Sequence, residues 1–133
     1  MSQRGFTIIE LLVVLAIIGL LISGVLVGLS QARIRAQDTR RIEDIGQLQR
    51  ALALYATTFH RYPIAAATTT LTGTDTVSTA LISAEAIPAI PKDPNASRSY
   101  QYSSTGASYL LEFCLDTNAF PPHGAHCNNT VAP

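Results

Sequence analysis

Hydrophobic and polar residues are distributed very unevenly along this chain of 133 residues. From Leu11 to Ser30 the chain runs for 20 residues without a charged side chain, and Leu, Ile and Val dominate the run. As a helix rising about 1.5 Å per residue, a run of this length can cross a bilayer. The pattern predicts one apolar helix near the N-terminus that contacts lipid or other apolar helices.

The pattern becomes amphipathic from Gln31 onward. Apolar residues recur at spacings of three and four, which predicts a stripe along a continuing helix formed by Ile42, Ile45, Leu48, Leu52, Tyr55 and Phe59. The other faces are expected to carry Arg40, Arg41, Glu43, Asp44, Gln47, Gln49 and Arg50. We expect the helical pairs Asp38–Arg41 and Arg40–Asp44 to contribute only about 0.2–0.5 kcal/mol each.

A proline ends this helix, because Pro63 cannot continue it and biases Tyr62 away from helical angles. The segment Ala65 to Ala80 is rich in threonine and is predicted to be an exposed connection. A short helix is predicted over Ser78 to Ala86.

Alternation of apolar and polar residues then predicts a β-hairpin. Tyr100 and Tyr102 mark its first strand, Ser104-Thr105-Gly106 its turn, and Tyr109, Leu111, Phe113 and Leu115 one face of its second strand. A third strand could come from the tail or from the threonine-rich segment. The predicted fold class is α+β, with a long N-terminal helix packed on a small antiparallel sheet.

Composition narrows the possible functions. Nine Lys and Arg balance nine Asp and Glu, so the net charge is zero and direct binding of nucleic acid is not expected. The sequence contains no glycine-rich phosphate loop, no paired catalytic carboxylates and no Ser-His-Asp or Cys-His constellation. We therefore expect neither an enzyme nor a cofactor.

Glu10 stands at the front of the apolar run. A carboxylate at membrane depth costs roughly 2.5 kcal/mol or more unless it is paired, so this residue requires a partner. A removable secretory signal, with Arg4 as its basic end and cleavage at Ser30-Gln31-Ala32, is the alternative interpretation. Such a signal has no need of a buried acid.

The residues from Gly5 to Gly19 read GFTIIELLVVLAIIG. This segment resembles the class III signal of type IV pilins and type II secretion pseudopilins. The resemblance implies cleavage after Gly5 by a prepilin peptidase, N-methylation of Phe6, and pairing of Glu10 with the N-terminal amine of a neighbouring subunit in a filament. The implied partners are other copies and related pilins, membrane lipid before assembly, and an inner-membrane assembly platform with its ATPase.

The arginines beside the apolar run raise a conflict over orientation. Only Arg4 precedes the run, whereas four arginines follow it closely: Arg33, Arg35, Arg40 and Arg41. The positive-inside rule alone would place the N-terminus outside. The resemblance implies a single pass through the inner or cytoplasmic membrane with the N-terminus inside, followed by a periplasmic or extracellular filament, and we follow it because a dedicated peptidase reads the signal.

Weaker similarity to the major pseudopilin extends further along the chain. The matching segments are Tyr62-Pro63, Ile90-Pro91-Lys92-Asp93-Pro94, Tyr100-Gln101-Tyr102 and Tyr109 to Asp116. The Trp-Gly pair that usually follows the Asp-Pro is replaced by Asn95-Ala96, and the pseudopilin calcium loop is not recognisable. We therefore carry over no metal site.

Cys114 and Cys127 are the two cysteines of the chain. In an exported domain they are expected to form a disulfide, with two free thiols as the alternative in a reducing compartment. His123, His126 and Cys127 lie close in sequence, but a structural zinc site needs a fourth ligand that is not evident.

The expected organisation has four parts: a leader over 1–5, a transmembrane or filament-core helix half over 6–30, an amphipathic helix half over 31–62, and a loop, hairpin and tail over 63–133. The function that follows is a processed, polymerising structural subunit. Two alternatives stay open: a secreted binding domain released after Ala32, and a membrane-anchored module that does not assemble.

Overall fold

The computed structural model describes residues 5–133, apart from the side chains of residues 25–27. The chain divides into two compact units, Met1–Ile34 and Arg35–Pro133, which we call the first and the second unit. Arg4, the expected basic end of the leader, lies outside the described residues.

One helix, α1, runs from Ile8 to Phe59, as the apolar and amphipathic patterns together predict. The next residue, His60, adopts a left-handed backbone conformation with φ of 55°, and Pro63 follows three residues later. Residues 30–32 are helical, so the alternative cleavage site lies within α1.

In the first unit, α1 exposes its apolar side chains. An 18-residue window of this helix reaches a mean hydropathy of 2.9 with none of it buried. Length and composition therefore make it the one candidate membrane span among residues 5–133. Its exposed Leu, Ile and Val side chains find no cover among the described residues of the chain.

The second unit contains a four-stranded antiparallel sheet in the order β1-β2-β3-β4. Its strands are β1 over Ala65–Thr70, β2 over Gln101–Ser104, β3 over Tyr109–Phe113 and β4 over Asn129–Val131. The predicted hairpin is β2–β3, in which Tyr102 pairs with Leu111. The predicted α+β class, with a long helix and a small antiparallel sheet, is confirmed.

Glycine is required at the tight turn between β2 and β3. Gly106 has a φ of +96°, and its N–H donates to the Ser104 hydroxyl at 2.9 Å. The Gly106 carbonyl accepts from the N–H of Tyr62 at 2.9 Å. The turn is thereby attached to the segment that leaves α1.

The expectation of an exposed connection over 65–80 was wrong. Ala65–Thr70 forms the edge strand β1, because β-branched threonines suit a pleated, half-exposed strand and β2 offers a pairing edge. The short helix α2 covers Thr76–Ser83, so it begins two residues and ends three residues earlier than predicted, with Asp75 as its N-cap. The tail supplies β4, so both segments that could have given a third strand give one.

The core of the second unit lies between α1 and the sheet. Ile45, Leu48 and Leu52 of the predicted stripe are buried there. Phe59 was expected on this face but is 46% exposed and stacks on Tyr55 at 4.4 Å. The sheet, α2 and the loops contribute Ala65, Leu71, Val77, Leu81, Ile87, Ile90, Tyr100, Tyr102, Tyr109, Leu111, Phe113 and Leu115.

Candidate functional site

The first turn of α1 is capped by its own side chains. The Glu10 Oε2 atom accepts from the Thr7 N–H at 2.9 Å and from the Thr7 hydroxyl at 2.7 Å. The Glu10 N–H in turn donates to the Thr7 hydroxyl at 3.3 Å. This reciprocal arrangement is a capping box, which satisfies helix N–H groups that have no partner within the helix.

Only one of the two carboxylate oxygens of Glu10 takes part in this cap. All of its hydrogen bonds among the described residues go to Oε2, and none goes to Oε1. Apolar side chains surround it on α1 and in the preceding turn: Phe6 is 80% exposed and Ile9 is 69% exposed. A carboxylate oxygen with spare acceptor capacity thus lies among uncovered apolar side chains.

A second polar arrangement, in the second unit, centres on the buried side chain of Arg41. Its guanidinium donates through Nε and Nη2 to the two carboxylate oxygens of Asp93, at 3.0 and 3.1 Å. Its Nη1 donates to Asp38 and to Asp116, both at 2.8 Å. We call Arg41 with these three carboxylates the Arg41 cluster.

The Arg41 cluster joins three segments that are distant in sequence. Asp38 also accepts from the backbone N–H groups of Asp116 and Thr117, and from the Thr117 hydroxyl at 2.7 Å. Arg98 donates to the free oxygen of Asp116 at 2.7 Å. The helix, the loop before β2 and the segment after β3 are therefore held by one set of charge-assisted bonds.

Burial of these groups corrects the sequence-based expectation. Arg41 and Asp44 were placed on solvated faces of the helix, yet the structure leaves Arg41 with no exposed surface and Asp44 with 6%. The predicted Asp38–Arg41 pair forms, but in the interior. The predicted Arg40–Asp44 pair does not: Asp44 accepts from the Tyr100 hydroxyl at 2.7 Å instead.

The positions of Asp38 and Arg41 carried a signal for this burial. They continue, toward the N-terminus, the same spacing of three and four that places Ile45 and Leu48 on the apolar stripe. Asp93 and Asp116 had no comparable signal, because loops and β-hairpins bring them to the helix from distant positions. The cluster was therefore missed at the sequence level.

The pKa values in and around the Arg41 cluster reflect burial and the hydrogen bonds between these groups. Burial alone would lower the pKa of Arg41, but hydrogen bonds to Asp93 and Asp116 outweigh it and raise this pKa above its ordinary value. Bonds from Arg41 and Arg98 lower the pKa of Asp116. Burial, reinforced by the nearby Asp44 carboxylate, raises the pKa of Tyr100. Arg41 and Asp116 therefore stay charged, and Tyr100 stays neutral, throughout the physiological pH range. Their bonds hold the structure together and do not titrate there.

The disulfide between Cys114 and Cys127 is present, as expected for an exported domain. It closes a loop whose interior is organised by the buried Asn129 side chain, which donates to the carbonyls of Gly124 and His126 at 2.9 and 2.7 Å. Asp116 and Thr117 lie within the same loop. The disulfide thus encloses the segment that reaches the Arg41 cluster.

The histidines of the tail are engaged in local contacts. His123 packs edge-on against Phe113 with ring centroids 5.1 Å apart. His126 accepts from the N–H of Asn128 through Nδ1 at 3.2 Å, and Cys127 is in the disulfide. Within residues 5–133 no group of three or more His, Cys, Asp or Glu side chains is placed to hold a metal ion.

Comparison with known proteins points to the N-terminal segment. The family model for the prokaryotic N-terminal methylation motif matches residues 1–26. These residues include Gly5, Phe6, Thr7 and Glu10, and the cleavage, methylation and pairing expected of them remain predictions. No solved structure matches the chain.

Curated relatives match slightly less than half of this chain. The type II secretion system core protein G of Escherichia coli K12 is 40% identical over 62 residues, which are 47% of this chain and 43% of that protein. The protein of the same name from Klebsiella michiganensis is 40% identical over 62 residues, 47% of this chain and 44% of its own. That from Pectobacterium carotovorum is 39% identical over 61 residues, 46% of this chain and 39% of its own.

These matches span less than half of each relative's length. The methylation motif over residues 1–26 is a separate finding that points to the same kind of protein. The resemblance of this chain to the type IV pilins and type II secretion pseudopilins, first indicated by the residues from Gly5 to Gly19, is thereby confirmed.

Proposed function

We propose that this chain is a structural filament subunit of the pilin or pseudopilin type. It is made as a precursor, cleaved after Gly5 by a prepilin peptidase and N-methylated at Phe6. The observation that carries the proposal is the methylation motif over residues 1–26, which leads into a membrane-length helix with uncovered apolar side chains. The role is structural and not enzymatic.

The apolar helix accounts for both stages of such a subunit's life. Before assembly it lies in the inner or cytoplasmic membrane, with the N-terminus inside and the second unit exported. After assembly the same side chains pack against the helices of other copies and of related pilins. Because the helix exchanges lipid for protein, its aliphatic surface never has to meet water. An assembly platform with its ATPase would drive this exchange.

Glu10 supplies the polar contact that sets the register between subunits. Its Oε2 caps the helix through Thr7, while Oε1 accepts no hydrogen bond from any described residue. The methylated amine of a neighbour's Phe6 is a cation that fits this free oxygen in an apolar layer. A single polar contact of this kind fixes geometry more than it adds affinity.

Two substitutions of Glu10 separate capping from pairing. Glu10→Gln keeps an acceptor for the capping box but removes the charge, whereas Glu10→Leu removes both. We expect both variants to insert into the membrane and both to fail to form filaments that sediment. Glu85→Gln, which removes an exposed carboxylate outside α1, is the matched control and should polymerise.

Filaments formed by Glu10→Gln at the wild-type level would contradict the pairing and leave Glu10 with a capping role alone. The alternative of a soluble domain released after Ala32 would require a peptidase to cut within α1, where Ser30 to Ala32 are helical.

A further inference from the structure

The segment that follows the apolar run is more cationic at its surface than its composition shows. Between residues 31 and 42 the sequence has four arginines and one acid, Asp38. Asp38 is completely buried and bound by Arg41 and Thr117. The Arg41 cluster therefore removes one positive and the only negative charge of this segment from the surface.

The remaining arginines of the segment are exposed. Arg35 and Arg40 lie on the surface of the second unit, and no ion pair among the described residues engages them. Arg33, in the first unit, is exposed as well. The next acid along the chain is Glu43. The surface charge between the apolar run and Glu43 is thus entirely positive.

Position along the helix places these charges at headgroup depth. The charge-free residues from Leu11 to Ala32 span about 33 Å at 1.5 Å per residue, close to the roughly 30 Å thickness of a hydrocarbon core. Arg35 and Arg40 follow Ala32 by about 5 and 12 Å of helix rise. An arginine side chain is long enough to reach back to the phosphate layer from either position.

We propose that Arg35 and Arg40 bind the phosphate groups of anionic phospholipids on the surface of the membrane into which the first half of α1 is inserted. A guanidinium matches a phosphate diester through paired N–H donors, and it stays charged at every physiological pH. The inference rests on the proposed function for the insertion of α1, and adds a lipid headgroup as a ligand of the second unit.

This binding also gives the arginines after the apolar run a role on the exported side. Anionic headgroups attract these residues to the leaflet at which the helix emerges, and so fix how far the helix is inserted before assembly. Buried Asp38 is essential to this arrangement, because an exposed carboxylate between the two arginines would oppose the lipid phosphates.

The test uses the full, processed chain in nanodiscs of phosphatidylglycerol and phosphatidylcholine in equal amounts. Native mass spectrometry counts the lipids that stay bound when the disc is released. We expect the wild type to retain phosphatidylglycerol preferentially, and Arg35→Gln/Arg40→Gln to lose about tenfold or more of that preference, since each arginine near a charged surface contributes roughly fivefold.

The matched control is Arg50→Gln/Arg61→Gln, which removes two exposed arginines further along the second unit. It should retain the wild-type preference. Equal retention of both lipids by the wild type, or an unchanged preference in Arg35→Gln/Arg40→Gln, overturns the inference. If there is no lipid preference but Arg35→Gln/Arg40→Gln abolishes filaments, the partner is an acidic surface of a second copy, which also overturns it.

Flotation on vesicles of pure phosphatidylcholine separates this inference from the proposed function. Insertion of α1 depends on its apolar residues and should take place on neutral lipid in the wild type and in both double variants. If the wild type inserts but shows no headgroup preference, only the inference about Arg35 and Arg40 is wrong. If the wild type does not float at all, both this inference and the membrane stage of the proposed function are wrong.

Discussion

Arg41 is central to the polar interior of the second unit, because three carboxylates from three segments converge on its guanidinium. A buried charge with satisfied partners is tolerated, whereas carboxylates left without their cation are strongly destabilising. The Arg98 bond to Asp116 offsets part of the excess negative charge. Removal of Arg41 would therefore disturb the helix, the loop before β2 and the segment after β3 together.

We predict that Arg41→Met lowers the free energy of unfolding by roughly 3–5 kcal/mol, since it leaves Asp38 and Asp93 buried without a cation. Urea titration of the full chain in detergent, followed by near-ultraviolet circular dichroism of the buried tyrosines, measures this change. Arg40→Met alters an exposed neighbour and should stay within about 0.5 kcal/mol of the wild type. Equal effects of the two substitutions would refute the importance of the cluster.

Asp75 gives the second unit a definite response to acid. Partial burial raises its pKa, but hydrogen bonds from Ser78 and Thr72 outweigh this and bring the pKa to about 2. The unfolded pKa is near 3.9, so the charged form stabilises the fold. This contribution is complete above about pH 5 and is lost progressively as the pH falls toward 2.

We expect the free energy of unfolding of the wild type to fall between pH 4 and pH 2 more steeply than that of Asp75→Asn. Asparagine keeps an N-cap acceptor for α2 but does not titrate in this range. Denaturant titrations at several pH values compare the two slopes. Parallel slopes would show that Asp75 does not titrate with a lowered pKa in the folded chain.

At the scale of elements, the second half of α1 is stabilised by one face packed on the sheet. Leu48 lies on this face with no exposed surface, whereas Leu54 is 50% exposed. The two positions share one helix and one residue type but differ in burial. They therefore test whether the helix packs on the sheet in the observed rotation about its axis.

Leu48→Ala should lower the free energy of unfolding by about 2–5 kcal/mol, because it removes buried methyl groups and leaves a cavity. Leu54→Ala should change it by no more than about 0.5 kcal/mol. Both are measured by urea titration of the full chain in detergent. A larger effect at Leu54 than at Leu48 would mean that the helix presents a different face to the sheet.

The loop closed by Cys114 and Cys127 is the second element that can be tested. It contains 14 residues counting both ends, and in the chain-entropy model a disulfide across such a loop contributes about 3 kcal/mol. We predict this loss of stability for Cys114→Ser/Cys127→Ser. Reductant should bring the wild type to the same value and leave the variant unchanged. Insensitivity of the wild-type unfolding curve to reductant would contradict the prediction.

Periodic segments were predicted well from the sequence, and contacts between distant segments were not. Spacing placed Leu48 and Leu52 on the buried face of α1, and alternation placed Tyr102 and Leu111 on the buried face of the hairpin. The edge strand Ala65–Thr70 has no apolar alternation, since only its first residue is buried. Its pairing with β2 determines its conformation, and the local sequence alone does not predict which segments will pair.

The polar interior was missed for a related reason. A charge at helical spacing was assigned to solvent by its residue type, whereas Asp93 and Asp116 arrive from loops to satisfy Arg41. The N-terminal motif behaves differently, because it is a linear pattern, and the family model matches it over residues 1–26. Gly5, Phe6 and Glu10 could therefore be singled out without any knowledge of the fold, and the roles proposed for them remain predictions.

At the scale of the whole molecule, the two units have opposite solvent requirements. The first unit exposes aliphatic side chains along its helix, and the second unit buries its own apolar residues against a sheet. A chain of this kind is stable only where the first unit is covered by lipid or by other helices. A filament subunit drawn from a membrane meets this requirement at every stage.

The most direct test of the central claim is the intact mass and N-terminal residue of the chain recovered from membranes of cells that express a prepilin peptidase. We predict a chain that has lost the leader through Gly5 and that begins at Phe6 with one added methyl group. A chain that begins at or near Arg33, or that retains Met1, would contradict the proposed processing and the role given to Glu10.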